Sequence, residues 1–247
     1  MRDFTLDMYL LLCEDLTARR VYTVCDYLLN KPDTAVILRH DVDVSAEKAL
    51  RMAKLERKVG VKSTYYFRYP KTFNPKIMKE IESMGHEVGY HYEVLDKAKG
   101  DHEQAIRLFG QELAEFRKHV DVKTISMHGG VLTKYDNRDL WKKHDFKDFG
   151  IIGEAYLSLD FSKIRYFTDT GRDWSGRYSI KDNTGVVGHR EGIKNTCDLI
   201  RMLEDEKHQL ICITTHPKRW SDNYLEWSWE FILQSLKNTG KKCLLRR

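Results

Sequence analysis

The chain has 247 residues, of which 41% are hydrophobic and 32% are charged. These values predict a soluble globular protein that is long enough to bury a sizeable core, as one large α/β domain or two small ones. The net charge of +5 is modest and acids and bases are interleaved along most of the chain, so a nucleic-acid partner is not expected. The basic cluster KKCLLRR, at residues 241–247, is predicted to be a solvated terminus.

The cysteines and the amino-terminal stretch indicate a cytoplasmic protein. The five cysteines are odd in number and form no C-x-x-C pair, which favours reduced thiols over a disulfide framework or a zinc-thiolate site. The opening stretch MRDFTLDMYLLLCEDL carries acids within its apolar part and is therefore a poor signal peptide. No apolar run approaches the length of a membrane span.

Residues 6–30 have an amphipathic helical pattern, and we expect residues 1–34 to form a helical extension packed on a main domain of residues 35–247. From residue 35 onward, apolar strands alternate with helical segments. Strands are predicted at residues 35–40, 62–68, 86–93, 123–130, 149–156, 164–170 and 209–217. Helices are predicted at residues 45–60, 74–85, 101–118 and 222–238. In the second of these helices, Asn74 is the expected N-cap and Pro75 the first helical residue.

This alternation predicts a single α/β domain with a parallel sheet. The chain has only four prolines and no low-complexity stretch that would mark a linker. Both a doubly wound sheet and a closed barrel fit the pattern, and we favour a (β/α) barrel.

Most of the predicted strands end in ionisable residues. The residues at these strand ends are His40, Asp41, Asp43, Arg68, His91, Glu93, His128, Glu154, Asp169 and His216. In parallel β/α folds the carboxyl ends of the strands face a common mouth, where catalytic groups collect. One such residue alone is more often structural, and Asp43 could simply cap the helix that follows it. The repetition favours a metal site, because burying many ionisable groups at one rim is costly without a partner charge.

The alternation of side chains along a strand adds detail to this metal site. Asp41 and Asp43 share one face of their strand, as do His91 and Glu93. One carboxylate can then bind a metal ion while its neighbour handles protons. Imidazole and carboxylate ligands suit a divalent ion, with Zn²⁺ as the first candidate and Fe²⁺, Co²⁺, Ni²⁺ or Mn²⁺ as alternatives.

The order of these motifs resembles the polysaccharide deacetylase (NodB-homology) family of metal-dependent N- and O-deacetylases, over roughly residues 35–220. RHDVD is similar to the first motif of that family, in which one aspartate is the catalytic base and a following one binds the metal. In this chain Val42 separates the two aspartates, which are usually adjacent in the family. GHEVGYHYE is similar to the second motif, and His91 matches the first of its two metal-binding histidines. Leu95 stands at the position of the second.

The remaining motifs resemble the family less closely. ICITTHP is similar to the last motif, an aliphatic strand that ends in a histidine assisting catalysis, here His216. DTGRDW is similar to an Asp-and-Trp motif, whereas SMHGG replaces the third motif and places His128 there. The resemblance implies a divergent subgroup with HDVD, GYHYE and TDTGR elements. It also implies a single-domain, distorted (β/α) barrel of seven strands.

The resemblance implies Asp43 and His91 as metal ligands, and it leaves the third ligand open. His128 could supply it from the next strand, and Glu93 could supply it from the strand of His91. We expect His128, because the two glycines after it let the backbone open space at the rim.

The implied activity is hydrolysis of an acyl group, most simply an acetyl group, on a sugar or a related small amide or ester. Asp41 would act as the general base and His216 as the proton donor to the leaving group. The candidates for substrate binding are Arg68, Glu154, Asp169, Arg172 and Trp174, of which the two arginines and Glu154 fit structural ion pairs equally well. The expected partner is a small carbohydrate or acyl-amide substrate, and the oligomeric state is open.

A second class of function also fits the motifs. A chain that lacks one histidine of the family pair could be a non-catalytic, sugar-binding or scaffold descendant of the same barrel.

Overall fold

The apolar runs of the sequence form one sheet of parallel strands. The computed structural model of the protein describes residues 2–130, 134–179, 192–205 and 209–245, with side chains as far as residue 240. The strands of this described part are β1 (Val21–Tyr22), β2 (Ala35–Val42), β3 (Thr64–Phe67), β4 (Glu87–Tyr92), β5 (Thr124–Met127), β6 (Gly153–Glu154), β7 (Ile164–Thr168) and β8 (Leu210–Thr215). Their order across the sheet is β6-β5-β4-β3-β2-β8-β7, and β1 pairs with β2.

Helices accompany these strands, and those predicted at residues 45–60, 74–85, 101–118 and 222–238 are present, whereas the helices at Val94–Lys97 and Thr196–Asp205 were not predicted. The helices are α1 (Leu6–Leu16), α2 (Val24–Asn30), α3 (Ala46–Val59), α4 (Pro75–Ser83), α5 (Val94–Lys97), α6 (His102–Arg117), α7 (Thr196–Asp205) and α8 (Tyr224–Leu245), with 3₁₀ turns at Asn137–Lys142, Phe146–Phe149 and Pro217–Arg219. Asn74 caps α4 and Pro75 is its first residue, while Gly60 ends α3 in the left-handed region at φ 81°. Across the described residues, none of the helices combines the length and the apolar character that a membrane span needs.

A side chain that crosses the interior shows that the sheet is curled. Arg39 on β2 donates to Ser126 Oγ on β5 at 3.0 Å and to the Tyr156 hydroxyl at 3.1 Å. In a flat sheet, three inter-strand spacings of about 4.8 Å would separate β2 from β5 by roughly 14 Å, which an arginine side chain cannot bridge. The strands therefore form the predicted distorted, seven-stranded barrel, which stays open because β6 and β7 are its two edges in the described structure.

The amphipathic pattern of residues 6–30 is two helices instead of one. Thr5 caps α1 through the amide of Met8, and Thr23 caps α2 through the amide of Asp26. Between them β1 pairs with β2, so the chain turns into the sheet where a helical continuation was indicated. The strand predicted at residues 149–156 is likewise shorter, because only two of its residues pair with β5. The basic cluster at residues 241–247 lies outside the described side chains.

A carboxylate is buried behind β2, on the face that points away from the barrel interior. Glu56 of α3 accepts hydrogen bonds from Ser63 Oγ at 2.6 Å and from the Tyr65 hydroxyl at 2.8 Å, and also from the hydroxyl of Tyr9. Its other close partner is His40, whose Nε2 lies 2.7 Å away. Burial raises the pKa of Glu56, but the nearby imidazole and the hydrogen-bond donors outweigh burial and lower it to about 2. The charge of Glu56 therefore helps to hold α3 against the sheet.

Because the pKa of Glu56 falls on folding from the ordinary 4.5 to about 2, its contribution to stability is complete above pH 4.5 and lost as the pH falls towards 2. The shift corresponds to ~3 kcal/mol at neutral pH. We expect Glu56→Gln to lower the free energy of unfolding at pH 7 by about that amount, measured by urea denaturation. The difference in the free energy of unfolding between the variant and the wild type should become smaller as the pH falls from 4.5 to 2.

The control is Glu103→Gln, at an exposed residue. If the free energy of unfolding of Glu56→Gln depended on pH as that of the wild type does, the role of Glu56 would be contradicted.

Candidate functional site

The structure brings five of the residues selected from the sequence together at the carboxyl ends of the strands. Asp43 Oδ1 lies 3.6 Å from Nε2 of His91 and also 3.6 Å from Nε2 of His128. Asp41 Oδ2 lies 4.0 Å from Nε2 of His91. His216 is close enough for its charge to lower the pKa of both aspartates. These strand ends therefore form one polar centre.

A tight turn after β2 points Asp43 into this centre. The amide of Asp43 donates to the carbonyl of Asp41 at 3.0 Å, which turns the chain at the end of the strand. The N-cap of α3 is Ser45, whose hydroxyl accepts from the amide of Lys48 at 3.3 Å. Capping the helix therefore does not occupy the carboxylate of Asp43.

His91 is held in one orientation by the neighbouring strand. Its Nδ1 lies 3.0 Å from the carbonyl oxygen of Ser126, which can only accept, so Nδ1 carries the proton. Nε2 then faces Asp43. Burial lowers the pKa of His91, but Asp41 and Asp43 outweigh burial and raise it above its ordinary value. This arrangement, an imidazole fixed from behind by a carbonyl, is the one that metal-binding histidines adopt.

Glu93 and Arg68 lie behind His128. The amide of His128 continues the ladder by donating to the carbonyl of Tyr92 at 2.8 Å. Glu93 Oε2 lies 3.0 Å from His128 Nδ1, a contact that is poorly aligned for a hydrogen bond, and accepts from Arg68 Nη2 at 2.6 Å. Burial raises the pKa of Glu93, but His128 and Arg68 lower it to about 2. Glu93 is thus an ionised support for His128, placed on the side away from Asp43.

Two separations within the donor set of Asp43, His91 and His128 are close to those expected around a divalent ion. Zinc ligands at about 2.1 Å from the ion are roughly 3.4 Å apart in a tetrahedral site, and the two separations from Asp43 Oδ1 are 3.6 Å. The fit is incomplete, since no group of three or more His, Cys, Asp or Glu side chains in the described part of the chain forms a finished metal site. Lys218 provides a physical reason, because its Nζ lies 2.9 Å from Asp43 Oδ2 and neutralises that carboxylate. Burial raises the pKa of Asp43, but Lys218 and the histidines hold it well below its ordinary value.

Asp41 is fixed beside this donor set by a buried arginine. Nη2 of Arg39 lies 3.0 Å from Oδ1 and 2.9 Å from Oδ2 of Asp41. Burial raises the pKa of Asp41, but Arg39 and His91 outweigh it, so the carboxyl stays ionised. Asp41 can therefore accept a proton without leaving its position.

His216 is fixed from the opposite side by a second aspartate. Its Nδ1 lies 2.6 Å from Oδ1 of Asp169, and its own amide donates to Oδ2 of Asp169 at 2.9 Å. Asp169 also accepts from Trp220 Nε1 at 2.9 Å and pairs with Arg219. Burial raises the pKa of Asp169, but Arg219 and His216 lower it to about 2. The sequence suggested substrate binding for Asp169, whereas the structure places it fully buried beneath His216.

The other residues selected for substrate binding lie apart from this centre or are committed elsewhere. Trp174 is fully buried between Phe4 and Trp220, so its ring has no face at the rim. Glu154 is also fully buried, and its carboxylate accepts from three backbone amides between 2.7 and 2.8 Å. Arg172 stacks on Trp227 of α8, with 4.9 Å between the guanidinium carbon and the ring centroid.

Three cations of the centre were not selected from the sequence. Arg39 had a usable signal, because residues two apart on a strand share a face and Asp41 is its neighbour on that face. Arg219 and Lys218 stand in a 3₁₀ turn after β8, where no periodicity indicates the direction of a side chain.

The chain matches no protein-family model and no curated protein sequence. Solved structures that resemble it include members of the CE4 (polysaccharide deacetylase) family at low identity. One is a CE4 family pseudoenzyme from Bacillus anthracis, at 15% identity and TM-score 0.45, with 83% of this chain and 61% of that chain covered. A mutant of a CE4 family pseudoenzyme with restored enzymatic activity also matches at 15% identity and TM-score 0.45, over 83% of this chain and 63% of that one.

A third structure is the Xyl-CE4 domain of a multidomain xylanase from the hindgut metagenome of Trinervitermes trinervoides. It matches at 16% identity and TM-score 0.37, with 85% of each chain covered. This chain therefore spans less than two thirds of the two pseudoenzyme structures and most of the xylanase domain.

Replacing Asp43 or His91 with Ala is expected to abolish binding of Zn²⁺, because a site with two protein ligands left holds the ion too weakly. Isothermal titration of the purified variants with Zn²⁺ measures the loss. Asp41→Asn is the matched control, since Asp41 is held by Arg39 and is not placed as a ligand. Wild-type affinity in both alanine variants would show that the site has been located wrongly.

The third ligand can be identified by a pair of variants. His128→Ala should lose Zn²⁺ as completely as His91→Ala, because it removes a donor that faces Asp43. Glu93→Gln should weaken binding only about 10–100-fold, the usual cost of losing a support behind a ligand. The reverse order of effects would assign the third position to Glu93.

Proposed function

We propose that the protein is a metal-dependent hydrolase that removes an acyl group, most simply an acetyl group, from a sugar or a related small amide or ester. The observation that carries this proposal is the pair of proton-transfer groups around the donor set of Asp43, His91 and His128. Asp41 is held there by an arginine and His216 by an aspartate, so each group has a fixed orientation beside the donor set.

Asp41 suits the part of general base. A divalent ion held by Asp43, His91 and His128 would supply Lewis acidity, which acidifies water and polarises a carbonyl group. Asp41 stays ionised in this centre because of Arg39, and it takes a proton from the water as the water attacks the acyl carbon. The guanidinium also fixes the direction of the carboxylate, so no reorganisation is needed at the moment of transfer.

His216 suits the part of general acid. Asp169 accepts at Nδ1, which leaves Nε2 to deliver a proton to the departing amine or alkoxide. With its pKa at about 2, Asp169 is ionised at neutral pH, so its Oδ1 accepts from the imidazole at Nδ1. Trp220 and Arg219 hold Asp169 in place, so the imidazole has one well-defined orientation.

A second candidate function is favoured by Lys218. Its ammonium group already supplies a positive charge at Asp43, at 2.9 Å, where a metal ion would otherwise do so. A chain with this ion pair could bind a sugar without metal and without hydrolysis. In that case Lys218 is the permanent partner of Asp43, whereas in the hydrolase it must move aside when the ion binds.

Asp41→Asn and His216→Ala are each expected to lower the rate of acetate release from an acetylated sugar by about 10²–10⁴-fold, the usual contribution of a general acid or base. Zn²⁺ content and melting temperature should stay at wild-type values in both variants. If activity is retained within a few-fold in both, the acid–base assignment fails. If the melting temperatures fall instead, the two residues are structural.

Lys218→Met should raise the affinity for Zn²⁺ about fivefold or more, because a unit charge a few ångström from the ion is worth at least ~1 kcal/mol even when partly screened. Lys163→Met is the matched control, since Lys163 is an exposed lysine that pairs with Asp160 just before the amino end of β7. Titration of both variants with Zn²⁺ measures the difference. No binding by either the wild type or Lys218→Met would favour the metal-free function.

A further inference from the structure

Helix α8 carries a row of apolar side chains on its outer surface. Leu225, Trp229, Ile232 and Leu236 are 78, 63, 52 and 66% exposed. Their spacing of four, three and four residues places them on one narrow stripe of a helix, as in the seam of a coiled coil. We call these four residues the outer stripe of α8. Tyr224 and Phe231, 62 and 51% exposed, lie further round the helix, outside the stripe.

The opposite face of α8 is fixed to the barrel. Trp227 Nε1 donates to the carbonyl of Asp3 at 2.7 Å, and Asn238 Nδ2 donates to the carbonyl of Gly171 at 2.9 Å. Gln234, between them on the same face, is buried. At 100° per residue, these anchoring residues lie about 180° from the outer stripe. The helix therefore cannot roll to bury the stripe without losing its contacts with the barrel.

We propose that the outer stripe of α8 pairs with the same stripe of a second copy of the chain, with the two helices antiparallel. A spacing of four, three and four residues reads the same in both directions, so the stripe is complementary to itself about a two-fold axis. That axis passes between Trp229 and Ile232. It sets Leu225 against Leu236 of the partner subunit, and Trp229 against Ile232 of the partner subunit.

The charges at the start of α8 do not decide the orientation. Glu226 Oε1 pairs with Lys48 Nζ at 2.9 Å, and Asp222 pairs with Arg51 at 3.6 Å, both within one chain. The antiparallel arrangement therefore rests on the symmetric spacing of the outer stripe.

The area of the patch agrees with a dimer contact. The four residues of the outer stripe expose on the order of 500 Å², if a large side chain carries ~200 Å². Two such stripes together bury about 1,000 Å², which is the lower limit for a specific interface. A monomer that exposed such a patch would be at the upper end of what soluble proteins tolerate.

Ile232→Glu tests the pairing, because it places two carboxylates next to the two-fold axis. Sedimentation velocity of the full chain over a range of concentrations should show a dimer for the wild type and a monomer for Ile232→Glu. Leu29→Glu, a charge at a residue that is 63% exposed elsewhere, is the matched control and should remain dimeric. The melting temperature of the monomeric variant at low concentration should equal that of the wild-type monomer, which separates lost pairing from misfolding. A wild type that is monomeric at all concentrations overturns the proposal.

The orientation is tested by disulfide cross-linking in a background with Cys197→Ser and Cys243→Ser. Leu225→Cys mixed with Leu236→Cys should form a mixed dimer under oxidation, and Leu236→Cys alone should not. Cross-linking of Leu236→Cys to itself would overturn the antiparallel arrangement. Monomeric wild type that binds vesicles of anionic phospholipid through the stripe would overturn the second copy as the occupant.

Discussion

The buried guanidinium of Arg39 is the constraint on which the rest of the barrel depends. It crosses the interior from β2 to β5 and lies against the rings of Tyr66 and Tyr156. Nε and Nη1 of Arg39 have no hydrogen-bond partner among the residues that the structure describes. Neutral groups therefore accept only some of the hydrogen bonds that the guanidinium can donate. An ionised Asp41 is therefore required for the charge balance of the core, and the same ion pair that supports the barrel also fixes a reactive carboxylate.

Support for the centre also comes from the outer side of the strands. His40, the residue between Arg39 and Asp41, points away from the interior and binds Glu56. Its Nδ1 lies 2.6 Å from Thr215 Oγ1 on β8, one residue before His216. β2 and β8 are thereby tied to each other behind the centre, so the distance between the proposed base and the proposed acid depends on a network that neither of them contacts.

The sequence predicted the residues that follow directly from strand periodicity. Asp43 and His91 stand at the ends of apolar runs, and parallel strand ends must meet. Strand periodicity did not predict which side chain each of these residues contacts. Glu93 supports His128 in the structure, and the direction of Lys218 is set by a short turn. Trp174 was selected for substrate binding but is buried in the core. An aromatic residue next to a polar motif is compatible with either place, and only the packing decides between them.

The alternation of charge along β2 also bears on how the chain folds. If β2 slipped by one residue in one direction, Asp41 would enter the space of His40 and meet the carboxylate of Glu56. A slip in the other direction would carry Asp41 to the place of Val42, also on the outer face and away from His91. Arg39 lies on the same strand and would move with Asp41 in both cases, so this ion pair does not itself select the register. Glu56 disfavours the first of these non-native pairings, because two buried carboxylates would then lie side by side, at a cost of several kcal/mol.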